Sequence, residues 1–268
     1  MPGVRAALIG VPWDRSSSFM RGAAGAPARI REALWSDSSN PWSERGVDVS
    51  VPGLLEDGGD ISVGDEPASA REAIEAGIVR LLDQGACPIA LGGDHSVTYP
   101  IVRAYRGRVN GLTIVHVDAH TDLYDEFQGD RYSHACPFAR IMEEGLAERL
   151  VQIGIRTASS HQRQQAEKFG VEIYDMSRWA EAPLETIQAP VYVSIDLDGI
   201  DPAFAPGVSH PEPGGLSTRD VVSLIHRLPA RIVGADLVEY NPDNDVRDLT
   251  ARVAAKLVKE LVGSGIVG

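Results

Sequence analysis

The stretch IVHVDAHTDLYD, residues 114–125, opens as an apolar run and then places three aspartates and two histidines between His116 and Asp125. LTIVHVD, 112–118, has the length and β-branched content of a buried strand. Charge is expensive to bury without compensation. The strand must therefore deliver its acids to a crevice where something neutralises them. Alternate side chains of an extended segment face the same way. Asp118, His120 and Asp122, spaced by two, can converge on one point as the strand passes into a loop.

Further strand patterns lie at 5–10, 47–51, 87–92, 149–155, 171–175, 191–198 and 231–238, several apolar on both faces as in a parallel sheet covered by helices. Helical patterns alternate with them at 26–35, 68–84, 96–106, 135–145, 159–169, 217–228 and 247–262. Ser217 is the expected N-cap of the sixth, with Asp220 in its first turn. This rhythm predicts one α/β domain over residues 1–268 with a mostly parallel sheet of about eight strands. No repeat, low-complexity tract or linker divides it.

The polar clusters fall just after strands: LGGDHS after 87–91, VDAHTD after 112–117, SIDLDGIDP after 191–195 and LVEYNP after 231–237. Ligands of open α/β sheets bind outside the carboxyl ends of the strands. Four distant segments thus supply one crevice. Asp118, Asp122, Asp196 and Asp198 cannot all stay ionised together without cations. Two divalent ions would neutralise them, with His95 and His120 giving each an imidazole. A site dominated by carboxylate oxygen suits Mn²⁺. Two ions roughly 3.5–4 Å apart can share a water and convert it to a bridging hydroxide at neutral pH.

The remaining composition narrows the partners. The 268 residues carry 25 basic and 38 acidic side chains, net −13, which argues against nucleic acid and anionic membranes. The short apolar run before Pro12 fits neither a signal peptide nor a membrane span. Cys87 and Cys136 make no disulfide framework, and a reduced, cytoplasmic protein is the expectation.

With GGDHS, DAHTD and SIDLDGIDPAFAPG in order, the chain resembles the ureohydrolase (arginase/agmatinase) family from GVPWD (10–14) to TARVAAKLVKELV (250–262). The resemblance implies a three-layer α/β/α fold, two Mn²⁺ ions and hydrolysis of a guanidinium to urea and an amine. It implies that His95, Asp118, Asp122 and Asp196 hold one ion. His120, Asp118, Asp196 and Asp198 would hold the other, with Asp118 and Asp196 bridging. Glu239 matches the acid that pairs with the substrate guanidinium, and His134 the proton-shuttling histidine. Family members assemble as trimers or hexamers. His116 lies deeper in its strand and is expected to pack rather than ligate. His226 is read as structural, and Cys136 as no nucleophile. Because the ligand set is complete, a non-catalytic relative is disfavoured.

The substrate tail is read by loops. Tyr124 stands where arginases usually place an asparagine, and RTASSHQ (156–162) lacks the acid that arginases use near the α-amine. Both lean toward an agmatine-like substrate. PGVSHPEPGG (206–215) is instead reminiscent of formimidoylglutamases, so a formimino or guanidino-acid substrate is the alternative. His210 is a candidate tail contact, while Arg21 and His161 have no assigned role. An arginine in the pocket would favour an acidic tail.

Overall fold

The computed structural model describes residues 5–188, 190–229 and 231–266. Its strands are β1 (Ala6–Gly10), β2 (Leu55–Asp60), β3 (Cys87–Leu91), β4 (Thr113–Val117), β5 (Arg149–Ile155), β6 (Glu172–Asp175), β7 (Val191–Asp196) and β8 (Ile232–Val238). They form one parallel sheet in the order β2-β1-β3-β8-β7-β4-β5-β6. The helices are α1 (Ala26–Leu34), α2 (Pro67–Asp83), α3 (Thr98–Arg103), α4 (Pro137–Glu143), α5 (Ser160–Phe169), α6 (Thr218–Arg227) and α7 (Leu249–Leu261).

Two apolar cores, one on each face, produce the three layers. Leu8, Val115, Val193 and Leu237 face α1, α6 and α7 through Ile30, Ile225 and Leu257. Ile9, Ile114, Tyr192 and Val238 face the opposite layer through Ile74, Ile101, Phe138 and Ala166 of α2 to α5. The neighbours Ile114 and Val115 thus go to opposite cores, as the two-residue period requires. Burying each such aliphatic side chain contributes about 1.5–3 kcal/mol relative to exposure. Ser217 caps α6, and its hydroxyl and the Asp220 carboxylate satisfy each other's backbone N–H.

Helix ends fall within two or three residues of the expected ones, but one strand does not. The pattern at 47–51 is a turn: Asp48 Oδ1 accepts from Ser50 N (3.0 Å) and Ser50 Oγ (2.6 Å). The strand of that region is β2, LEDGGD, which is almost wholly exposed. An edge strand pairs on one side only and needs no apolar signature. Its acids are answered by charge instead, Arg31 Nη1 reaching Asp60 at 2.6 Å and Arg5 Nη1 reaching Glu56 at 2.7 Å.

The strands that end in the polar clusters, β3, β8, β7 and β4, are adjacent in the middle of the sheet. Their register is continuous, Leu91 opposite Leu237, Leu237 opposite Ile195, and Ile195 opposite Val117. Their carboxyl ends therefore form one contiguous ledge. Among the described residues no helix is long and apolar enough to cross a membrane.

Candidate active site

The ledge gathers the predicted acids and histidines. One ligand atom from each of His95, Asp118, Asp122 and Asp196 lies within 4.8 Å of the others, and so does one from each of Asp118, His120 and Asp198. Asp118 belongs to both sets. Asp196 falls in the first set only. His95 Nδ1 lies 3.0 Å from Asp122 Oδ2, 3.0 Å from Asp196 Oδ2 and 3.3 Å from Asp118 Oδ2. His120 Nδ1 lies 3.2 Å from Asp198 Oδ2 and 3.4 Å from Asp118 Oδ1. Backbone groups aim the acids: His120 N donates to Asp118 Oδ1 (2.6 Å) and Asp198 N to Asp196 Oδ1 (2.8 Å).

Two glycines make this convergence possible. A Cβ on Gly93 would stand 1.6 Å from the Trp13 carbonyl oxygen, and one on Gly199 would stand 2.8 Å from the Asp118 backbone. Asp122 (φ 49°) and Glu239 (φ 61°) occupy the left-handed region that side-chain-bearing residues seldom enter. Such strain clusters at functional sites. Glu239 is held by a bond from its own N to Gly93 O (2.9 Å), and its Oε1 accepts from His95 N (2.9 Å).

The tautomer of His95 tests whether these residues fit a cation. Ser194 Oγ donates to Asp236 Oδ1 (2.7 Å), so it must accept from His95 Nε2 (3.0 Å). The Nδ1 lone pair of a neutral ring then faces three carboxylates, and this buried atom has no hydrogen-bond partner. A proton there serves one of those oxygens at a time, whereas a cation serves all three and the nitrogen. Electrostatics point the same way. Burial, then Asp198 and Asp118, drive the Asp196 carboxyl well above its usual range. Burial also raises Asp198, to about 7, although His120 opposes the shift. Burial works against a charged His95, but Asp118, Asp122 and Asp196 outweigh it and hold the ring well above its ordinary value. Without cations, the cluster must therefore collect protons. A carboxylate-rich donor set with two imidazoles fits divalent metal ions.

A supporting layer, beyond the residues picked out by motif, orients these groups. Asp236 lies fully buried within β8 and accepts from Tyr192 (2.7 Å) and Thr98 (2.9 Å) besides Ser194. Its only sequence signal is an acid inside an apolar strand. His116 packs, as expected, against Phe138 with ring centroids 4.0 Å apart. Gln152 Nε2 donates to His116 Nδ1 (3.0 Å), so His116 Nε2 donates to Asp118 Oδ2 (2.8 Å). Partners of this kind fix the orientation of metal ligands. His226 bonds Glu260 Oε2 at 2.7 Å, away from the site, as its structural reading required. Burial pushes the Cys136 thiol up to about 12, which suits no nucleophile.

Over the ledge opens a cavity of about 470 Å³. His134 and Glu239 meet at its inner wall, Nδ1 to Oε1 3.0 Å, and Ser18 Oγ holds the other His134 nitrogen at 2.8 Å. Burial lowers His134, but the Glu239 hydrogen bond and charge, aided by Asp122 and Asp94, raise it to about 9. Glu239 Oε2 is buried without a partner. Tyr124 and His210 both line the cavity, as do Phe127, Thr157, Ser159 and Gln162, which motif reading missed. Tyr124 stacks on His161 (5.7 Å, 12°). Arg21 is exposed and outside the lining, its guanidinium turned to the Arg15 carbonyl. Asp125, beside Tyr124, pairs with Arg131 and Arg140 and is also outside the lining.

Comparison with known proteins places this geometry. A family model described as the arginase family matches residues 4–263. Mitochondrial arginase 1 of Arabidopsis thaliana is 47% identical over 95% of this chain and 79% of its own. The solved arginase from Medicago truncatula superposes with a TM-score of 0.93 at 44% identity, covering 97% of this chain and 87% of that one. N(1)-aminopropylagmatine ureohydrolase of Thermus thermophilus is 37% identical over 97% of this chain and 89% of its own.

Proposed function

The chain belongs to the arginase family, hydrolases of carbon–nitrogen bonds in amidines and guanidines; from that premise we propose that it cleaves a linear, agmatine-like guanidino compound into urea and a primary amine. One observation carries this reading. The unpartnered Glu239 Oε2 and His134 share a cavity with both acid–histidine sets.

In this reading His95, Asp118, Asp122 and Asp196 would hold one Mn²⁺, and His120, Asp118, Asp196 and Asp198 a second. Bound there, the cations would offset the carboxylate charge and acidify water to supply the nucleophile. Glu239 receives the guanidinium, its free Oε2 accepting a charge-assisted N–H bond. Water adds to the guanidinium carbon, and the bond from that carbon to the tail nitrogen breaks. That nitrogen leaves as an amine only if it gains a proton. His134, held near 9, carries one at neutral pH and stands beside Glu239 to give it. Ser18 keeps the ring in place through its other nitrogen.

The outer cavity supports the agmatine-like tail. Its wall is Tyr124, Phe127, Ala158 and the hydroxyls of Thr157 and Ser159, and among the described residues no lysine or arginine lines it. An acidic tail, as in formiminoglutamate or a guanidino acid, finds no counter-charge there. L-Arginine is a second reading, favoured by the identity with plant arginases and by the Ser159 hydroxyl. That oxygen accepts from Gln162 N and keeps its proton to donate to a carboxylate.

The test is release from a panel of agmatine, L-arginine, 4-guanidinobutyrate and formiminoglutamate in Mn²⁺. We expect urea, with kcat/KM for agmatine at least about tenfold above the rest, a transition-state difference of about 1.4 kcal/mol. A higher value for L-arginine would establish the second reading. Formamide from formiminoglutamate would replace both, and no product from any compound would sink the proposal.

A further inference from the structure

The cavity holds a third donor set that the reaction does not require as such. One ligand atom from each of His134, His210 and Glu239 lies within 4.8 Å of the other two. All three residues line the cavity, and the two imidazole rings stand 5.1 Å apart at a 32° tilt. Glu239 is 2% exposed, and its Oε2 is buried with no hydrogen-bond partner. Ser18 Oγ lies 2.8 Å from His134 Nε2 and can take up that N–H, so a cation that displaces the proton Nδ1 donates to Glu239 Oε1 (3.0 Å) meets a lone pair there. His210 is steadied from outside by the Phe19 ring, 5.8 Å away.

We infer that His134, His210 and Glu239 form an inhibitory binding site for a borderline-soft divalent ion, Zn²⁺ or Cu²⁺, separate from the carboxylate-rich pair of sets on the ledge. The donor chemistry divides the two. The ledge offers four carboxylates and two imidazoles, which suits a harder ion. The His134, His210 and Glu239 set offers two imidazoles and one carboxylate, the three-ligand pattern that binds zinc while leaving a fourth position open. An ion there takes Glu239 from the guanidinium and the proton-giving nitrogen of His134 from the leaving amine. That inhibitory consequence rests on the proposed roles of Glu239 and His134; ion binding itself does not.

The test uses Mn²⁺-loaded protein titrated with Zn²⁺ by calorimetry, with released Mn²⁺ followed by electron paramagnetic resonance. We expect one further equivalent of Zn²⁺ to bind without Mn²⁺ release, and guanidinium chloride to weaken it. His210→Ala should weaken zinc binding at least about tenfold while retaining both Mn²⁺ ions; His210→Gln serves if the alanine variant does not fold. Urea release should fall with the same zinc dependence, read against each protein's own zinc-free rate. No additional equivalent, Mn²⁺ released one-for-one, or unchanged zinc affinity in the His210 variants would each overturn the site. Because the titration needs no turnover, a protein that binds this zinc yet releases no urea would overturn only the substrate reading.

Discussion

Asp122 and Glu239 share an unusual backbone, left-handed at φ 49° and 61°, and both point into the cavity. A glycine would be easier to place at either position, so the side chains are what the fold retains. Asp122→Asn keeps the shape and removes the charge that faces His95. Metal content should fall below two per chain and urea release should vanish; a fully loaded, active variant would contradict the ligand assignment. His134→Asn should act differently. Turnover should drop by roughly 10²–10⁴ with metal content unchanged, the range expected for losing a general acid. Metal lost from that variant would mean that His134 serves the ledge rather than the leaving amine. Asp122 and Glu239 were legible because each stands in a motif that follows directly on a strand, and His134 only through the family resemblance. Asp236, Ser194 and Gln152 were not, since a polar residue inside a strand carries no mark of the partner that it finds across the sheet.

At the scale of elements, the site depends on turns that follow β3, β4, β7 and β8. Gly93 is the tightest, with the Trp13 carbonyl occupying the space of a Cβ. Trp13 O also accepts from Asp94 N (2.9 Å), so the segment after β1 is pinned against this turn. Gly93→Ala should destabilise the protein by about 1–3 kcal/mol through overpacking. A melting temperature within a degree of the wild type would show that the turn can relax. Six of the eight strands were readable because central parallel strands are apolar on both faces, and the edge strand β6 because Ile173 and Tyr174 still pack against the two cores. β2 escaped because its exposed edge carries acids and glycines, while the apolar alternation at 47–51 belongs to a turn closed by Asp48. Tertiary position, not local propensity, decides both cases.

For the whole molecule, the ledge ties stability to pH in an unusual direction. Asp198 rises from 3.8 to about 7 and His134 from 6.5 to about 9, so the folded metal-free chain holds more protons than the unfolded chain across that window. Stability from groups with raised values is complete below the unfolded pKa and lost as pH climbs through the folded one. Chelated protein should therefore lose melting temperature between about pH 4 and pH 9. Metal binding needs Asp198 and its fellow ledge ligands deprotonated, so its stabilisation grows over that range. The gap in melting temperature between Mn²⁺-loaded and chelated protein should widen from pH 5.5 to pH 8, measured by scanning calorimetry. A gap that narrows would mean that protons and cations do not compete for the ledge.

The four strands that end at the site sit side by side at the centre of the sheet, while the cavity's outer wall comes from loops around Tyr124, Thr157 and His210. Reaction and selectivity are thus carried by separable parts of the chain. A library that varies only the wall, at 124, 127, 157–159 and 210, would explore new substrate tails while every ledge residue keeps its support. The molecule is in this sense a fixed reactive floor beneath an exchangeable rim, and directed evolution of new guanidine specificities has a natural place to begin.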